Sequence, residues 1–244
     1  MRFAAIADIH GNCLALEAVL ADIAACGVTD VVNLGDHVSG PLEARRTADL
    51  LIERGFPSIC GDQDRRLLQL NQAGTSKRID FKQLERQHFD WMASLPPTLH
   101  YRDDVFLCHG SPVDDAAYWL DRVAMDGSIR PAPVEDIETD AAGITASLIL
   151  CGHTHIPRTV RLRDGRLVVN AGSVGCPGYD GQKPVYHKVE VGTPDACYAI
   201  VERVARGWSV TFRYVPYDHR AMADMARRNG LPVWASALAT GWVL

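Results

Sequence analysis

The sequence lacks most of what would mark a membrane, secreted or nucleic-acid-coating protein. No apolar run approaches the ~20 residues that a bilayer span needs. The N-terminal stretch MRFAAIA is broken by Asp8 before the core of an export signal can form. Positive charge is not in excess: 25 Lys and Arg stand against 30 Asp and Glu, a formal net charge of −5. That balance speaks against non-specific binding to long nucleic acid or to an anionic membrane. Seven cysteines are an odd number, and no two are spaced as CxxC. A disulfide framework and a thiolate zinc site are therefore excluded. The expected setting is a reducing cytoplasm, with the cysteines packing as small apolar residues. No repeat, low-complexity tract or linker divides the chain.

What is present is an ordinary globular composition, 244 residues with 47% apolar and 23% charged side chains. Short apolar runs at 2–7, 28–34 and 56–60 alternate with helical periodicity over 13–25 and 42–54. That order predicts parallel strands joined by crossover helices. Helical stretches follow at about 65–72 and 80–94, and Pro96-Pro97 ends them. From residue 98 the pattern is strand-rich: 98–103, 104–108, 147–151, a hairpin of 158–163 and 166–170 around Asp164-Gly165, then 185–191, 197–204 and 208–215. A helix at about 218–228 and a Trp- and Leu-rich tail close the chain. We expect one α/β domain over 1–244, with two packed sheets and helices outside. An acidic, lid-like insertion is expected at about 112–142, and a strand-helix extension at about 185–244.

Five apolar runs end in residues of metal-ligand type. They lead into Asp8-Ile9-His10, Gly35-Asp36, Gly61-Asp62-Gln63-Asp64, His109-Gly110 and Gly152-His153-Thr154-His155. Residues at the carboxyl ends of strands in an α/β sheet meet at one rim. Carboxylates crowded there repel one another unless cations neutralise them. Three carboxylates and four imidazoles without thiolate suit Mn²⁺, Fe, Zn²⁺ or Co²⁺ better than Ca²⁺ or Mg²⁺. Seven ligands exceed the need of one tetrahedral ion and suit two ions sharing a carboxylate, an arrangement used in phosphate ester hydrolysis.

These five blocks resemble those of the calcineurin-like metallophosphoesterases, nearest the small bacterial and archaeal phosphodiesterase branch. Asn170-Ala171-Gly172-Ser173 is similar to the Asn-Pro-Gly-Ser block of that branch. The resemblance covers roughly residues 1–175 and implies a four-layer α-β-β-α sandwich. It implies that Asp8, His10 and His155 hold one divalent ion, that Asp62, His109 and His153 hold the other, and that Asp36 bridges them. A water bridging the ions would then ionise near neutral pH and attack phosphorus in line. Asn12 and the backbone near Gly172 and Ser173 would lie close to the phosphate. Mn is the favoured ion, with Fe, Zn, Ni or Co as the others.

Two positions depart from the family block Gly-Asn-His-Asp/Glu. Asp62 replaces the usual Asn and adds a negative charge. Gln63 replaces the His placed to protonate the leaving group, and Gln cannot titrate. His37, next to Asp36, is a candidate substitute acid. Arg65, Arg66 and Arg158 follow ligand blocks and are candidates to hold a substrate phosphate; Tyr118-Trp119 is placed either to stack on a nucleobase or to pack on the sandwich. The expected activity is hydrolysis of a small-molecule or nucleotide phosphodiester. The rivals are a phosphomonoesterase, acting on phosphoproteins or on nucleotides such as diadenosine tetraphosphate, and a metal-binding scaffold for a protein partner.

Overall fold

A computed structural model describes residues 1–74 and 76–244. The chain begins with strand β1 (Arg2–Ile6), helix α1 (Cys13–Ala25), strand β2 (Val31–Asn33) and helices α2 (Ala44–Arg54), α3 (Asp62–Gln72), α4 (Ile79–Gln83) and α5 (Arg86–Ser94). There follow β3 (Leu99–Tyr101), β4 (Val105–Leu107), β5 (Asp121–Val123), β6 (Ile129–Pro131), α6 (Val134–Asp140), β7 (Leu148–Cys151), β8 (Arg158–Arg161) and β9 (Leu167–Asn170). The chain ends with β10 (Gly178–Gly181), β11 (His187–Glu190), β12 (Ala196–Val204), β13 (Gly207–Val215), α7 (His219–Arg228) and α8 (Pro232–Thr240).

Two sheets form the centre. One has the order β13-β12-β1-β2, the other β3-β4-β7-β9-β8. β1 and β2 run parallel, as do β4, β7 and β9, while β12, β3 and β8 pair antiparallel with their neighbours. Strand alternation sorts the core. Phe3 and Ala5 of β1 meet Leu107, Leu148, Leu150 and Val169 between the sheets. Ala4 and Ile6 face outward against Leu16, Val19 and Ile23 of α1. On the far side, Ile149, Cys151 and Val168 are covered by Trp119, Leu120 and Ile137. The layers are therefore helix, sheet, sheet, and the 119–141 segment with α6. Strands buried on both faces read as continuous apolar runs, which is why LILC and VFLC carry no alternation.

Several elements differ from expectation for identifiable reasons. The run 56–60 contributes one parallel bridge, Ser58 to Asn33, because β2 is three residues long and Pro57 has no N–H to donate. The single helix expected over 80–94 breaks into α4 and α5 at Leu84 and Glu85, whose backbones are extended. Strand β10 and helix α8 were not expected; both fall in stretches without a clear period. Within the acidic segment, β5 and β6 form a small hairpin. Among the described residues no helix is long and apolar enough to cross a membrane.

Candidate metal centre

The five expected blocks converge. Asp36, Asp62, His109 and His153 offer ligand atoms within 4.8 Å of one another, and so do Asp8, His10 and His155. Asp36 faces both groups: Oδ2 lies 3.7 Å from His10 Nε2, and Oδ1 lies 3.4 Å from His109 Nε2. Asp8 Oδ1 is 3.3 Å from His155 Nε2. Asp62 Oδ1 is 3.3 Å from His109 Nε2 and 3.2 Å from His153 Nδ1.

The backbone is bent to place these groups. Among the described residues six non-glycine positions have positive φ, namely Asp8, His10, Asp36, Arg102, His153 and His155. Five of them are candidate ligands, so the strain is concentrated at the site. The loops also touch: a Cβ at Gly61 would lie 2.2 Å from Asp36 Oδ1, and one at Gly152 would lie 2.7 Å from Asp8 Oδ2. Only glycine lets these loops approach.

The donor set fits divalent ions. His109 Nδ1 lies 2.7 Å from the Leu34 carbonyl, His155 Nδ1 2.6 Å from that of Cys176, and His10 Nδ1 3.1 Å from that of Ser39. A carbonyl only accepts, so each Nδ1–H donates and Nε2 is the nitrogen that faces the cluster, available to an ion once it carries no proton. His10 Nε2 and His155 Nε2 stand 3.2 Å apart, two lone pairs pointing at one place. Asp8 Oδ1, Asp62 Oδ1 and His109 Nε2 are buried without a well-formed hydrogen bond. Buried polar atoms are rarely left so unless an ion completes them. Burial opposes ionisation of Asp8, yet His155, with His109 and His10, holds its carboxyl down at about 2. Burial opposes ionisation of Asp62 too, and contacts with His109 and His153 drive it well below the carboxylate range. Burial lowers His10, whereas Asp36 and Asp8 raise His109 and His155 against the same effect.

The other expected residues lie elsewhere or do other work. His37 packs beside the site. It is fully buried, with Nδ1 2.7 Å from Asp64 Oδ2 and its ring against Trp91, and it does not border the cavity. The positive φ of Asp36 turns the chain so that adjacent side chains diverge. Asn12 is bound to the protein itself: its Oδ1 caps α1 by accepting from Ala15 N, and its Nδ2 donates to Gly175 O and Tyr217 Oη. Ser173 donates to the Asp8 carbonyl and accepts from Cys176 N, so it braces a ligand loop from behind. Gly172 packs against Cys197, away from the cavity. Arg65 is held bidentately by Asp115 at 2.7 Å, and Arg158 by buried Asp121 at 2.8 Å. Gln63 borders the cavity; its Nε2 donates to Asp62 Oδ2 at 2.7 Å and its backbone N–H to Asp36 Oδ1 at 2.9 Å.

A cavity of about 620 Å³ opens over the cluster, and Arg66, Lys77, Tyr179 and Trp234 contribute to its walls. Trp234 had no sequence signal beyond an apolar tail. Asp64, in the same block as Asp62, was not assigned a role; it accepts the N–H groups of Asp36, His37 and Gly61 and so ties two ligand loops together.

Residues 1–193 match the profile of the calcineurin-like phosphoesterase superfamily domain. The chain is similar to an uncharacterized protein of Methanocaldococcus jannaschii, 24% identical over 95% of this chain and 94% of that protein. Its fold is similar to a metallophosphoesterase from Sphaerobacter thermophilus, with a TM-score of 0.75 and 27% identity over 99% of this chain and 100% of that one. A putative diadenosine tetraphosphatase shares the fold at a TM-score of 0.52 and 15% identity, over 87% of this chain and 94% of that one. With the ligand blocks gathered at one rim of a two-sheet sandwich, the chain belongs to the calcineurin-like phosphoesterase superfamily.

Proposed function

We propose that this phosphoesterase uses two divalent ions to hydrolyse a phosphodiester of a small molecule or nucleotide. One observation carries the reading: Asp36 stands between two groups of ligands that border the same cavity. Asp8, His10 and His155 would hold one ion, and Asp62, His109 and His153 the other. When bound, such ions polarise phosphoryl oxygens and bring the pKa of water toward neutrality. The chain's own residues do the rest. The carbonyls of Leu34, Ser39 and Cys176 hold three rings in the ligating tautomer. Gln63 fixes which oxygen of Asp62 turns inward. Arg66 and Lys77 place positive charge where an anionic substrate enters.

Every imidazole bordering the cavity is a candidate ligand, and Gln63 has no proton to give. That favours a substrate whose leaving group departs without protonation. Manganese is the ion we favour among Mn, Fe, Zn, Ni and Co, all of which such donors accept. Seven free cysteines support a cytoplasmic setting. The net charge of −5 supports a small phosphoester over long nucleic acid or a membrane surface.

The test is hydrolysis of mono- and bis-(4-nitrophenyl) phosphate by metal-stripped protein with each ion added back, and His155→Ala as the blank. Metal-dependent turnover favouring the diester is expected. Preference for the monoester would make the protein a phosphatase. No turnover in folded protein that binds two ions would leave a binding scaffold.

A further inference from the structure

The cavity extends beyond the ligand cluster, and its outer part has a chemistry of its own. The indole of Trp234, on α8, stands edge-on to His10 with ring centroids 5.7 Å apart. The opposite loop makes room for it: a Cβ on Gly40 would come within 2.9 Å of the indole Cη2. Leu231 adds apolar surface beside it. Elsewhere on the walls are Arg66, on the exposed side of α3, and Lys77, and neither has a carboxylate partner among the described residues. Lys77 is not on a loose strand. Its neighbour Arg78 is bound to Asp80 at 3.0 Å, and Asp80 in turn accepts the Gly40 N–H at 2.8 Å. The segment that carries Lys77 and the loop beside Trp234 are thus joined through Arg78 and Asp80.

An aromatic wall with unpaired cations above a phosphoester site suits a flat base joined to more than one phosphate. Bases stack on indole, and phosphate oxygens take Arg and Lys as partners. A cavity of about 620 Å³ is in the range for a nucleotide-sized ligand. The missing proton donor points the same way, because a phosphate leaves readily as an anion.

We propose that Trp234, Arg66 and Lys77 form a specificity subsite for a pyrophosphate-linked nucleotide, with the base on Trp234 and the departing phosphate between the two cations. This rests on the phosphoesterase reading above. In the reaction, a water oxygen bonds to one phosphorus. The P–O bond of the anhydride breaks, and its electron pair stays on the departing phosphate. Both water protons pass to solvent, so two phosphate monoesters result and no acid on the protein is required. Trp234 lies outside residues 1–193, which match the family profile, so the base-stacking wall of the subsite falls beyond that match, whereas Arg66 and Lys77 lie within it.

The experiment is calorimetric titration of ADP, AMP and inorganic pyrophosphate into the full-length, metal-stripped protein. ADP is expected to bind at least tenfold tighter than pyrophosphate, the contribution of the base, and at least tenfold tighter than AMP, the contribution of the second phosphate. Trp234→Leu should close the first gap and leave the second. Arg66→Gln combined with Lys77→Gln should do the reverse. Trp234→Phe, which keeps a ring, should retain part of the first gap and guards against a misfolded leucine variant. Equal binding of ADP and pyrophosphate, or gaps that survive the substitutions, would overturn the subsite. Turnover of bis-(4-nitrophenyl) phosphate by the metal-loaded wild type decides the underlying reading separately. Turnover without an ADP preference removes the subsite alone, and an ADP preference without turnover removes the hydrolase alone.

Discussion

The side-chain amide of Gln63 donates to Asp62 Oδ2 at 2.7 Å and thereby turns Oδ1 of the same carboxylate toward His109 and His153. The two departures from the family block are thus one feature. An asparagine at 62 would bring its own N–H₂; an aspartate leaves a second oxygen that needs a donor, and Gln63 supplies it. Removing the amide with Gln63→Leu should weaken one ion by about tenfold and leave the other unchanged, since groups that orient a metal ligand carry effects of that size. Calorimetric titration with Mn²⁺ reads this directly. Equal weakening of both ions would mean that Gln63 acts on the whole rim.

His37 should matter to the fold and not to the chemistry. It fills a buried space between Asp64 and Trp91. His37→Ala leaves a cavity and removes the side-chain partner of Asp64, which keeps only its backbone N–H donors, so about 2–4 kcal/mol of stability should be lost. Turnover per folded molecule on a diester with a poor leaving group should stay within threefold. A large fall in kcat with an unchanged melting temperature would restore His37 as an acid.

Ions should stabilise the protein more than a single surface contact does. Five candidate ligand residues hold positive φ, and the carboxylates of Asp36 and Asp62 share one cluster. Each ion at a hundredfold excess over its Kd adds about 2.7 kcal/mol. For a chain of this length that is a rise of roughly 5–10 °C per ion. Differential scanning calorimetry with and without chelator measures it. Asp8→Asn should lose the ion with less damage to the ion-free fold than Asp8→Ala, because asparagine tolerates the left-handed backbone that Asp8 adopts.

Asp22 gives a pH-dependent contribution away from the site. Hydrogen bonding from Arg213 at 2.5 Å, opposed by burial and aided by the Tyr198 hydroxyl at 2.7 Å, lowers its pKa. A depressed folded-state pKa means stability present above the unfolded value, ~3.9, and lost as pH falls through the folded value. Asp22→Asn should cost about 1 kcal/mol at pH 7, the site being partly open to solvent. The difference should vanish in acid. Urea titrations of both proteins at pH 7 and below pH 4 test the sign.

The convergence of the candidate ligands was legible because an apolar run followed by Asp or His at a Gly turn marks the rim of a sheet. The helical phase was not. Arg65 and Arg66 are neighbours in sequence, but successive helix positions point about 100° apart, and only Arg66 borders the cavity. Arg65 went instead to Asp115, a residue 50 positions away. The buried placement of His37 was not legible because the positive φ at Asp36 cannot be seen in a run of letters. Trp234 was invisible as a site residue because α8 is apolar around much of its surface and its relation to Gly40 is purely tertiary. Polar positions such as Asn12 and Ser173 sat in the expected blocks, yet their hydrogen-bonding capacity is spent on the backbone of α1 and of the Asp8 loop.

The first sheet places β1 between β2 and β12, joining residue 2 to residue 202. The Asp8 loop is likewise fastened by Ser173 and Gly175. During synthesis, then, the strand leading into Asp8, the first candidate ligand, must wait for β12 before it gains its second neighbour. At about 5–20 residues per second, that wait is on the order of ten seconds or more. A nascent chain exposes its first ligands long before it can form the centre. Ions of the proposed centre would therefore meet the Asp8 loop in its final setting only once β12 has been made and paired with β1.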